Sequence, residues 1–69
     1  MDLKQLRKKR KLTQNEVAVL TGTTSRYISM IERGERIPSD EMKFKLSKIY
    51  QAKLEDIFLI CWRTQSSEK

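Results

Sequence analysis

The chain has 69 residues, with 15 Lys and Arg against 9 Asp and Glu, one cysteine and no histidine, for a net charge of +6. A chain this short makes one small domain that buries only about 60 % of the surface its unfolded form exposes. A core of that size seldom supplies more than about 3–5 kcal/mol unless a disulfide, a metal or a partner subunit adds to it. Cys61 cannot close an internal disulfide alone, and without histidine or a second cysteine the ligands of a structural zinc site are missing, so a partner subunit is the expected supplement.

Such cysteine usage suits a reducing cytoplasm. The longest unbroken apolar run, Ile57 to Trp62, is six residues, against the ~20 a membrane-spanning helix needs, and the charged N-terminus leads into no apolar signal core. A soluble cytoplasmic protein with no membrane partner, no metal and no cofactor is expected. The positive charge predicts attraction to a polyanion. It is concentrated in residues 1–36, which hold nine basic and four acidic side chains, whereas residues 37–69 hold six and five.

In chain order, the first helix is predicted from about Asp2 to Lys11, with Leu3 and Leu6 facing inward. Its basic end, Arg7 to Lys11, is compatible with a polyanion contact or simply with cations complementing the helix dipole. Thr13 followed by Glu16 reads as a capping box, starting a second helix at Gln14 that carries Val17, Ala18 and Leu20 and stops at Thr21-Gly22. Thr24 caps a third helix, Ser25 to about Arg33, closed by Gly34. On a 3.6-residue wheel Ile28 and Ile31 point one way with Glu32 at their border, while Arg26, Ser29, Met30 and Arg33 take the far side and Ser25 is exposed in the first turn.

After Pro38, Ser39 caps a fourth helix with Asp40 and Glu41 in its first turn and Met42, Leu46, Ile49 and Tyr50 along its inner stripe; Phe44 lies off that stripe. A fifth, about Leu54 to Phe58, buries Leu54, Ile57 and Phe58. Residues 1–58 then form the domain, and residues 59–69 a tail whose segment from Thr64 on is expected to be disordered. Helices two and three, joined by a short turn containing glycine, fit the unit that presents its second helix to the major groove of DNA. Small helical bundles of other functions contain similar corners.

The segment LRKKRKLTQNEVAVLTGTTSRYISMIERGERIPS, Leu6 to Ser39, resembles the helix-turn-helix of the Cro and phage-repressor (Xre) family. The shared features are Leu-Thr-Gln at 12–14, Ala18, Gly22, Ile-Ser-x-Ile-Glu-x-Gly at 28–34 and Pro38-Ser39. LEDIF at 54–58 resembles the family's fifth helix. The resemblance implies an all-α, five-helix, lambda-repressor-like domain that binds double-stranded DNA in a sequence-specific way, usually as a homodimer, in a regulatory role.

By the same resemblance Ser25, Arg26, Ser29 and Met30 match the base-facing positions, an arc the wheel gives independently. Arg26 is the most informative, since a guanidinium can bridge O6 and N7 of guanine; its alternative is a phosphate contact. Gln14 matches the glutamine that clamps a phosphate at the start of the second helix. Thr24, Tyr27, Arg33, Arg36 and Arg10 are the other expected backbone contacts, although capping alone explains Thr24 and Lys9, Arg10 and Lys11 could act only by steering. Arg7 and Glu32 match a structural ion pair. Leu59, Ile60 and Trp62 exceed what the domain needs, and are expected to form a dimer contact, either as a strand pairing with its copy or as a lengthened fifth helix; Trp62 folded over its own core is the alternative. The rival functional reading is a protein-interaction module of the same fold. Catalysis is disfavoured by the lack of a histidine base, an activated nucleophile or a phosphate loop.

Overall fold

The computed structural model describes residues 2–66, with side chains described through Cys61. Five α-helices follow in order, α1 (Leu3–Lys9), α2 (Gln14–Thr21), α3 (Ser25–Glu32), α4 (Asp40–Tyr50) and α5 (Leu54–Ser66), with no strand among the described residues. The fold is all-α, with the five helices that the resemblance implies.

Helices α1 to α4 each begin where a side chain can take over orphan amides of the first turn. Asp2 and Gln5 form a capping box on α1, and Thr13 and Glu16 another on α2. Thr24 and Ser39 accept from the backbone N–H groups of Tyr27 and Met42 and so start α3 and α4. At α5 the Lys53 carbonyl receives the N–H groups of Asp56 and Ile57, and Glu55 and Asp56 add favourable charge at the positive end of the dipole.

Four helices end in one and the same way. A residue in the left-handed conformation donates its N–H three residues back, and the next N–H donates five residues back, closing α1 at Lys11, α2 at Gly22, α3 at Gly34 and α4 at Gln51. Gly22, at φ +74°, has nothing within 4 Å of where a Cβ would lie, so backbone conformation and not crowding favours glycine there. Lys11 (φ +58°) and Gln51 (φ +52°) adopt the same conformation with a side chain attached, at a cost of about 1 kcal/mol each.

The core joins Leu3 and Leu6 of α1, Val17 and Ala18 of α2, Ile28 and Ile31 of α3, Met42, Leu46 and Tyr50 of α4, and Ile57 and Cys61 of α5. Helix α2 departs from the sequence reading. Leu20 is exposed, and Thr21 is buried in its place, because Val17 and Thr21 are one turn apart while Leu20 falls on the flank of that face. The Thr21 hydroxyl donates to the Val17 carbonyl at 2.8 Å and therefore accepts from the Thr23 hydroxyl at 2.9 Å. Lys45 of α4 donates to the Thr21 carbonyl, tying the end of α2 to the neighbouring helix.

Helix α5 also differs from expectation. It does not stop at Phe58 but continues to Ser66, because residues 59–66 contain neither glycine nor proline to break the ladder and Cys61, one turn beyond Ile57, gives the extension an anchor in the core. Of the tail expected to be disordered, residues 64–66 belong to this helix and 67–69 lie outside the described residues. No described helix is long and apolar enough to cross a membrane.

Candidate nucleic-acid interface

The site is built around α3, which is held by one face and offers the other. Ile28 is fully buried and Ile31 nearly so, and Tyr27 packs partly against the same core. Ser25 and Arg26 stand exposed, with Ser29 and Met30 half-buried beside them. The four expected base-facing residues thus share a solvent-accessible arc on the side of α3 away from its isoleucines. The α2–α3 corner that aims this arc is short, Gly22, Thr23 and Thr24, and it is stiffened by the Thr21–Thr23 hydroxyl pair.

Behind the arc sits a largely buried polar cluster. The Glu32 carboxylate, its side chain 3 % exposed, accepts from Arg7 Nε at 2.6 Å, from Arg7 Nη2 at 3.3 Å and from Gln14 Nε2 at 3.0 Å. Arg7 Nη1 donates to the Leu12 carbonyl at 2.9 Å. The hydrogen bond to Glu32 raises the Arg7 pKa above its already high ordinary value, so the guanidinium stays charged. One carboxylate at the end of α3 therefore ties α1 to the first residue of α2. Gln14 is half-buried, with its amide oriented by Glu32, and Thr24 uses its hydroxyl oxygen as the α3 cap.

The remaining expected backbone contacts divide. Arg36 is exposed in the loop after α3. Arg33 is paired with Glu35 at 3.3 Å, but both side chains are more than half exposed, so the pair is worth at most about 1 kcal/mol and is readily exchanged for another anion. Arg10 has a partner not foreseen from sequence: its Nε donates to the Tyr50 carbonyl at 3.0 Å and caps the negative end of α4. Arg10 thus has a structural role through its Nε, while the residue itself remains exposed on the surface.

The expected dimer residues also separate. Leu59 is exposed, Ile60 is half-buried against the core, and Trp62 lies in α5 with its side chain outside the described residues. The strand alternative for this segment is replaced by helix. Cys61 is buried and its thiol is pushed up by burial, which disfavours the thiolate and hence nucleophilic chemistry. Among the described residues no group of three or more His, Cys, Asp or Glu side chains is placed to hold a metal ion.

A capped helix anchored by two isoleucines, turned outward after a glycine-containing corner, is the arrangement of a groove-reading helix pair, and a family model described as helix-turn-helix matches residues 3–57. The chain belongs to the helix-turn-helix family of Xre/Cro type. It is similar to uncharacterised HTH-type transcriptional regulators in both archaea and bacteria. One from Methanocaldococcus jannaschii is 39 % identical over 57 residues, covering 83 % of this chain and 86 % of the relative. One from Archaeoglobus fulgidus is 35 % identical over 57 residues, covering 83 % and 80 %. YgzD of Bacillus subtilis is 30 % identical over 56 residues, covering 81 % and 85 %. No solved structure matches the chain. The family is one of DNA-binding transcriptional regulators.

Proposed function

We propose that this helix-turn-helix protein is a sequence-specific regulator of transcription that binds a palindromic operator as a homodimer and represses by occupying it in the cytoplasm. The observation that carries the reading is the two-sided character of α3, with Ile28 and Ile31 buried and Ser25, Arg26, Ser29 and Met30 facing out. Arg26 reads a guanine edge, Ser29 and Met30 set the adjoining base preference, and Ser25 acts through a short hydrogen bond or a water. Gln14, Thr24, Tyr27, Arg33 and Arg36 hold the phosphate backbone, with Arg10 contributing its remaining guanidinium N–H groups. The first-turn amides of α2 and the Gln14 amide, oriented by Glu32, suit a phosphate approaching that end.

In this reading residues 1–58 form the DNA-binding domain and the apolar part of the tail, residues 59–62, carries the subunit contact. The exposed Leu59 on the extended α5 supports a helical contact between copies, in which Trp62 and Ile60 take part. Two recognition helices about 34 Å apart would meet successive major grooves, which sets half-sites one helical turn apart.

Selection of bound sequences from random duplexes, with stoichiometry measured on the winning site, tests the reading. Enrichment of a twofold-symmetric sequence containing guanine in each half, bound by two chains, is the expected result. Absence of any preferred sequence, together with an affinity indifferent to salt, would leave the interaction-module reading in its place. That rival draws on the exposed Val19 and Leu20 beside the half-buried Leu12 on the outer side of α2.

A further inference from the structure

The left-handed stop that closes α1 to α4 is the same hydrogen-bonded turn four times over, yet glycine fills it only at 22 and 34. At the other two, Lys11 and Gln51, a side chain is kept against the preference of the backbone. Strain of this kind clusters at ligand-binding sites, and of the two positions only Lys11 lies beside the candidate interface. Lys11 is exposed and lies two residues before the Thr13 cap of α2 and three before Gln14. The turn that carries it is fixed to the site, because Arg7, whose carbonyl accepts the Leu12 N–H, also grips Glu32 beside Gln14.

A simpler role would be to complement the dipole of α1. Lys8 and Lys9 already stand in its last turn, so that role is filled without a strained residue. We propose that Lys11 is itself a DNA-backbone contact, its ammonium pairing with a phosphate of the strand that the first turn of α2 approaches. The proposal rests on the DNA-binding reading above and adds to it a residue outside the two helices of the motif. Gln51, strained alike but uncharged and at the far end of α4, is the built-in comparison.

The test is a salt titration of the full chain on a mixed-sequence duplex pool, for the wild type and for Lys11→Gln, Lys11→Gly, Lys48→Gln and Gln51→Gly, with thermal melts alongside. Losing one phosphate contact lowers the log–log salt slope by about 0.9, so a fourfold rise in salt costs either Lys11 variant about 3.5-fold less affinity than it costs the wild type. Lys11→Gly also melts higher. Gln51→Gly melts higher with the slope unchanged, and Lys48→Gln, an exposed lysine on α4, keeps the wild-type slope. The proposal is overturned if Lys11→Gln keeps the wild-type slope, if Lys48→Gln lowers it equally, since net charge alone is then responsible, or if Lys11→Gly melts lower, since the lysine then serves the turn itself. Each of those outcomes leaves DNA binding standing. A wild type that binds no duplex at any salt overturns both readings together.

Discussion

Replacing Glu32 by glutamine keeps the shape of the side chain and removes one charge from the best-connected polar group of the molecule. The carboxylate accepts from two Arg7 nitrogens and from Gln14, with the Arg7 and Glu32 side chains only 10 % and 3 % exposed. After substitution the Arg7 cation remains desolvated, with the Leu12 carbonyl as its main acceptor. Breaking a buried pair by removing one partner costs about 3–5 kcal/mol, and the lower end applies here because Arg7 keeps some contact with water. In a domain this small each kcal/mol moves the melting temperature by about 4–8 °C, so Glu32→Gln should melt about 12–24 °C lower. Thermal unfolding followed by helical circular dichroism measures this directly. A paired replacement, Arg7→Met with Glu32→Leu, removes both charges and should recover most of the loss, since a buried pair exchanged for apolar groups of similar volume is close to neutral. A fall of less than about 4 °C in Glu32→Gln would mean the pair behaves as a surface bridge, and the argument for a buried hub joining α1, α2 and α3 would fail.

Arg26→Ala should cost about 1–3 kcal/mol at one base position of the selected operator and flatten preference there; equal losses on every duplex would make Arg26 a phosphate contact instead. Gly22→Ala should destabilise by about 1 kcal/mol through its left-handed backbone alone, with space available for the methyl group, as denaturant midpoints would report. Burial pushes the Tyr50 phenol well above the ordinary tyrosine value, with Glu32 nearby acting in the same sense. An acid whose folded pKa is raised keeps its stability below the unfolded value and loses it as pH rises past that value, so melting temperature should fall above about pH 10 and Tyr50→Phe should remove part of that fall. Leu59→Lys should shift sedimentation towards monomer while leaving the helical spectrum intact; an unchanged assembly state would move the subunit contact away from this side of α5.

Local signals were enough to locate the helices. Thr and Ser caps and glycine stops act over three to five residues, and so the starts at Gln14, Ser25 and Asp40 and the ends at Gly22 and Gly34 were legible before any contact was known. The outward arc of α3 was legible too, since the period of a helix alone separates Ile28 and Ile31 from Arg26 and Met30. Tertiary contact decided the rest. Whether Leu20 or Thr21 faces inward depends on how α2 lies across α4, and whether α5 ends at Phe58 or goes on depends on the core receiving Cys61. Arg10 could be assigned only once the carbonyl of Tyr50, forty residues away, was seen to lie within reach. Of the Glu32 hub, the Arg7 partner twenty-five residues away was implied by the family resemblance, whereas Gln14, eighteen residues away, belongs with Arg10 among the contacts that only the fold revealed. A sequence states what each segment prefers by itself, while the partner of a long polar side chain is fixed only when folding brings distant backbone to it.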